Sequence, residues 1–350
     1  MNERILARML LVASAGLVAI TGFEPAAAQQ QREALTYPDG TPHPMTPWGD
    51  PDLQGMWPIM HLFATPLQRN PQYGERRFLT DEEYERAQQV LRSRDERYYE
   101  EIRSGRLGMG HWAESTTRTD ATRLTSLISY PPNGRLPELT ARGEELVPLF
   151  HSDDTRQVFD SPQDFDAWDR CITRGLPSSM LPYNYNNGIR IMQAPGYVII
   201  ALEMIHEARI VPVDGRPPLD SEIKQWMGES RGYWDGATLV VETTNFNGKV
   251  GMVIVGIPGG RRGDTPTTPN MKITERFTRV SDDQIDYEMT VEDLEVMTDK
   301  WTVSYPMYLD PEYKFFEYAC HEGNTAVRNF IETSRFERGL RPAARPVSTN

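Results

Sequence analysis

A carboxylate held in an apolar enclosure resists ionisation, so its pKa climbs toward the range useful for taking and giving protons. Four carboxylates of this chain share the apolar face of an expected strand. Asp293 alternates with Ile285, Tyr287, Met289 and Val291, and Glu275 with Ile273 and Phe277. Glu317 alternates with Phe315 and Ala319, and Glu203 with Ile199 and Ala201. The competing reading for Glu275 and Glu317 is structural: a strand end, or an ion pair with Arg209 or Arg276. Of six histidines, His206 follows Glu203 by three residues at a turn between strands, and His321 directly follows Cys320. Tyr185 and Asn187 lie in the irregular run 183–187. Tyrosine offers a ring to stack on and a hydroxyl that donates. These types suit acid–base chemistry without a cofactor. His206, Asp293 and Tyr185 would move protons, Arg209 would stabilise developing negative charge, and His321 is a further catalytic candidate. Asn187, Glu203, Trp301, Tyr305 and Glu275 are candidates to line the substrate cavity.

Other chemistries find less support. Gly228-Glu229-Ser230-Arg231-Gly232 has the letters of a nucleophile elbow, but a hairpin follows where strand, turn and helix are required. No H-E-x-x-H, H-x-H or C-x-x-C spacing occurs, so no sequence-local metal site is expected. Gly259–Gly263 lies between strands rather than before a helix, which disfavours nucleotide binding. His111, beside Trp112, suits a flap over a cavity mouth.

The elements that would position these groups change character along the chain. Residues 29–60 read as an extended arm ending in a short strand around Gly55-Met56-Trp57. A capping box at Thr80–Glu83 opens a helix to about Ser104, and a second short helix fits Thr140–Leu149. Ser126–Pro137 and Ser161–Asn187 read as loops. From about Gly188 the period becomes two. Strands are expected at Ile189–Gln193, Tyr197–Glu203, Glu207–Val213, Ala237–Asn245, Lys272–Val280, Gln284–Asp293, Lys300–Leu309 and Lys314–Cys320. The fold class is therefore mainly β with a helical N-terminal extension (29–187). Residues 188–337 are expected as an antiparallel up-and-down, lipocalin-like barrel, the alternative being a β-sandwich. The long loop Phe246–Asn270 suits a lid, and 338–350 a disordered tail.

Residues 1–28 have the form of an export signal, with Arg4 and Arg8 before an apolar run and Ala26-Ala27-Ala28 before Gln29. That run is too short for a confident membrane span. The net charge of −13 argues against nucleic acid or an anionic membrane as a partner. A small hydrophobic or aromatic molecule is the expected partner, in a periplasmic or secreted setting. In such an oxidising compartment Cys171 and Cys320 would form one disulfide.

Four stretches taken together resemble an uncharacterised family of secreted bacterial proteins: Asp214-Gly215-Arg216, the run from Trp226 to Thr243, Glu275-Arg276-Phe277, and Glu317 to Asn324. The resemblance covers about Arg174 to Arg335 and attaches no settled activity. Many members carry His where Glu229 stands and another near Thr267. If those bound a metal together with the position of His206, this chain lacks most of that site, which weakens a metal-assisted hydrolase. Gly55-Met56-Trp57 is similar to the Gly-x-Trp of a lipocalin first strand. An enzyme of lyase or isomerase type is the first reading, a lipocalin-like carrier the alternative, and a metal-assisted hydrolase the further alternative.

Overall fold

A computed structural model describes residues 35–105, 122–150, 158–183, 185–252 and 265–340. The expected export signal, the His111 flap, the Gly259–Gly263 tip and most of the expected tail lie outside the described residues.

Strand formation follows the sequence period. In β9 (Gln284–Glu292) Ile285, Tyr287, Met289 and Val291 are buried, and the intervening residues are more exposed. β8 (Lys272–Ser281) likewise turns Ile273, Glu275 and Phe277 inward. Asp235-Gly236, with Gly236 at φ 59°, closes the hairpin between β6 (Glu229–Asp235) and β7 (Thr238–Thr244).

Two antiparallel sheets result. One runs β1 (Gly55–Met56), β3 (Ile189–Ala194), β4 (Tyr197–Leu202), β5 (Ala208–Pro212). The other runs β2 (Ile128–Tyr130), β10 (Trp301–Tyr308), β9, β8, β7, β6. Both contribute to one apolar core, with Ile191, Val198 and Val211 from the first and Val241, Phe277 and Met307 from the second. The described residues are thus mainly β and form two antiparallel sheets, with no closed barrel found among them.

The helical extension forms as its caps dictate. α1 (Asp81–Ser104) begins with the Thr80 N–H donating to Glu83 at 2.8 Å and the Glu83 N–H donating to the Thr80 hydroxyl at 3.3 Å. Thr140 caps α2 (Ala141–Leu146) through the Gly143 N–H.

Four expectations need correction. Lys314–Cys320 is not a strand: the Phe316 N–H donates to the Glu203 carboxylate at 2.9 Å instead of joining a ladder. Glu317 is consequently exposed, not inward-facing. Within the expected loop 126–137, β2 pairs with β10. Inside the expected barrel segment, residues Ala326–Glu337 form α3, which packs Phe330 against Phe159 and Phe165.

Candidate functional site

β5 alternates with Arg209 and Val211 inward and Ile210 outward, which drives a guanidinium into the protein interior. Arg209 meets Glu275 of β8 end-on, through its two terminal nitrogens. Its Nη1 donates at 3.0 Å to Oε1, and Nη2 donates to Oε2. Nη2 also reaches the hydroxyls of Ser230 at 3.2 Å and Thr243 at 3.3 Å, which bond each other at 2.9 Å. The Tyr287 hydroxyl donates to Glu275 Oε1 at 2.7 Å. Glu275 has no exposed surface and Arg209 has 5 %. Burial is the largest single influence and works against the charged form of Arg209, but the charge and hydrogen bonds of Glu275, with Tyr287 and Glu207, together outweigh it and the guanidinium pKa rises. Burial, followed by that same carboxylate, pushes the Tyr287 and Tyr305 phenols well up, so both stay protonated. Their rings lie 4.9 Å apart.

A second polar layer adjoins the first through Glu207, just before β5. Burial pushes its carboxyl up to about 7, against the lowering effect of the Thr173 hydroxyl, the Arg174 N–H and the charges of His206 and Arg209. Thr173 donates to Glu207 at 2.8 Å and also lies 3.1 Å from the Met227 sulfur. The backbone here is held in unusual conformations. Ile205 (φ 59°), His206 (φ 45°) and Cys171 (φ 57°) are left-handed, and such a conformation is costly for a β-branched residue like Ile205. The Cys171–Cys320 disulfide, Cα to Cα 5.6 Å, fastens this region to the turn that follows Tyr318. Tyr318 stacks on Tyr185 at 6.3 Å, Tyr185 meets Tyr183 at 5.2 Å, and Tyr183 meets Trp168 at 5.0 Å. Burial, then the neighbouring tyrosines, pushes the Tyr185 phenol up, so it is a donor and not a base.

A cleft of about 340 Å³ leads to the first layer. Arg209 and Ser230 line it together with Met227, Ile210, Leu219 and Glu229. Met227 stands between this cleft and Thr173–Glu207. A larger cleft of about 650 Å³ is lined by Trp226 and Thr268 among others, and its charges are balanced in sign, with Arg142, Arg170 and Lys249 against Asp164, Asp166 and Glu295.

The structure gathers some of the expected site residues and disperses others. Arg209, Glu275 and Tyr305 belong to one interior. Tyr185 and His206 adjoin the Glu207 layer, with the exposed His206 joined through Nδ1 to the Tyr318 carbonyl at 2.8 Å. Glu203 is a fastener, accepting from Gly188 N, Asn186, Tyr313 and Phe316 N. Asn187 closes its own turn through both backbone groups of Tyr183. Trp301 is core. His321 is exposed on the turn after the disulfide. Asp293 lies one residue past β9 and accepts from Thr268 N at 2.7 Å and Thr268 Oγ1 at 2.9 Å, and burial raises its pKa. These contacts place Asp293 behind Thr268, which lines the larger cleft, in a different set of partners from His206. Glu229 accepts from Leu219 N, and the Thr267 hydroxyl donates to the Val250 carbonyl. Among the described residues no three His, Cys, Asp or Glu side chains are grouped to hold a metal ion.

Sequence reasoning missed Glu207, Arg174, Thr173 and Tyr287. Tyr287 carried a legible signal as a polar-tipped residue on the inward face of β9. Glu207 precedes its strand and is half-buried against Thr173 and the Arg174 N–H, a long-range contact that periodicity does not encode. Comparison with protein-family models, curated proteins and solved structures finds no match.

Proposed function

We propose that the chain is an exported, cofactor-independent enzyme carrying out acid–base elimination or isomerisation, a lyase-type reaction, on a mid-sized aromatic or hydrophobic molecule. The observation that carries this reading is Glu207. It is a largely buried carboxyl held at about 7, hydrogen-bonded by Thr173 and beside the interior that contains Arg209. At neutral pH such a group is present in both forms and can accept a substrate proton and return it. Tyr185, kept protonated, serves as the hydrogen-bond donor to a substrate oxygen, and Arg209 supplies fixed positive charge for the negative charge that develops.

Two contacts support a lipocalin-like enclosure around this interior. A Cβ on Gly232 of β6 would lie 2.9 Å from Val211 of β5, so the sheets meet there. Elsewhere Asp310 N, just past β10, donates to the Met56 carbonyl of β1 at 2.9 Å. Export is supported by the disulfide, and no helix among the described residues is long and apolar enough to cross a membrane.

Solvent-deuterium incorporation tests the reading whatever the product is. The protein is incubated in D₂O with a panel of aromatic and terpenoid-like compounds and exchange is read by mass spectrometry. Exchange that disappears in Glu207→Gln supports it; equal exchange in that variant refutes it. A carrier is the second reading, favoured by the exposed apolar rim of Ile210 and Leu219 at the cleft. It predicts binding unaffected by Glu207→Gln and no exchange at all.

A further inference from the structure

Arg174 is only 2 % exposed, as deeply buried as Arg209, yet among the described residues no carboxylate pairs with it. Its Nη1 donates to the Leu181 carbonyl at 3.2 Å. Nε and Nη2 have no hydrogen-bond partner among the described residues. Trp168 and Tyr183 cover the guanidinium at 5.4 Å and 4.8 Å from their ring centroids, and the tyrosines 183, 185 and 318 supply the surrounding electrostatic field. Burial lowers its pKa to about 10, so it is still charged at neutral pH. The hydroxyls of Ser178 and Ser179, on the same short segment, are also buried without partners among the described residues.

The identity of the two open nitrogens matters. Nε–H and Nη2–H point the same way from one edge of the guanidinium plane, spaced to match the two oxygens of a carboxylate. A buried charge with an open bidentate edge calls for an occupant, because native interiors leave few such groups unsatisfied. The aromatic rings around it favour a flat, apolar body attached to that carboxylate.

We propose that Arg174 is the anchor for the carboxylate of a small aromatic acid, bound side-on through Nε and Nη2 against the Trp168–Tyr183–Tyr185 rings. The proposal touches the acid–base reading above in one respect: the backbone N–H of the same residue hydrogen-bonds the Glu207 carboxyl.

Benzoate is the probe, with benzamide as its neutral isostere and sulfate as an oxyanion without a ring. Binding to the full chain is read by thermal shift and by tryptophan fluorescence. The expected result is saturable benzoate binding that raises the melting temperature, with benzamide roughly ten- to a hundred-fold weaker, the usual worth of a hydrogen bond to a charged group. Arg174→Met should lose benzoate binding with its circular dichroism unchanged, and Glu207→Gln should retain it. Failure of benzoate to bind the unsubstituted protein overturns the proposal, whatever the variants do. So does benzamide binding equally well, sulfate binding in place of benzoate, or undiminished benzoate binding by Arg174→Met. Because Glu207→Gln is scored for proton exchange and Arg174→Met for benzoate binding, the two readings fail separately.

Discussion

Arg209 and Glu275 form a two-pronged ion pair inside the protein, reaching from one sheet to the other and locked by the Tyr287 hydroxyl. Taking both charges out of water costs several kcal/mol per ion, and only mutual attraction and further hydrogen bonds offset that cost. Removing one partner strands the other. Glu275→Ala should therefore destabilise the protein by about 3–5 kcal/mol. The double substitution Arg209→Met with Glu275→Leu should recover most of this loss. Chemical denaturation of the three variants checks it; a double variant no more stable than Glu275→Ala would refute it.

The disulfide joins Cys171 to Cys320 across 149 residues of sequence. Chain-entropy reasoning gives about 4–5 kcal/mol for a loop of that size. Cys171→Ser with Cys320→Ser should lower unfolding free energy by up to that amount. It should also raise hydrogen exchange in the turn after Tyr318 more than in β8 and β9, which have their own ladders. Uniform exchange in both regions would show that the bridge does not hold the turn.

Glu203 illustrates a different use of a buried carboxylate. It accepts four hydrogen bonds, two of them from Tyr313 and Phe316 N, and so pins a stretch of chain that has no ladder of its own. Glu203→Gln retains acceptor capacity on one oxygen only. About 2–3 kcal/mol should be lost, in line with hydrogen bonds to a charged group, with a larger loss for Glu203→Ala. A change within about 0.5 kcal/mol, the range of an ordinary surface substitution, would exclude the fastening role.

The parts of this fold legible in the sequence are those with local causes. The α1 capping box and the alternation of β8 and β9 depend on neighbours a few residues away, and both formed as their spacing implies. The same alternation correctly turned Glu275 inward. It misplaced Glu317 because period two describes a segment's preference and not whether a strand edge is open to receive it. Phe316 N found the Glu203 carboxylate first. The site suffered more, since Glu207 acquires its environment from Thr173 and the Arg174 N–H, and Arg174 from the rings of Trp168, Tyr183 and Tyr185. No window of sequence contains that meeting.

Glu207 makes the stability of the fold depend on pH. Its folded pKa is raised to about 7 from an ordinary value of 4.5, with burial as the leading cause. Between those values the folded state binds more protons at this site than the unfolded state does, so stability falls as pH rises. The effect is absent below about pH 4 and complete above about pH 7.5. Its full size is bounded by about 3 kcal/mol for such a displacement, and partial contact with solvent reduces it. Glu207→Gln carries no titrating proton, so the variant should gain on the unsubstituted protein steadily from about pH 4.5 to about 7.5 and then run parallel to it. Denaturant midpoints across that interval measure the difference directly. The proton-exchange activity proposed for this residue should rise over the upper part of the same range as the basic form accumulates. A stability difference that is flat with pH would mean that Glu207 ionises as an ordinary surface glutamate, and it would then be too weak a base to carry the reaction.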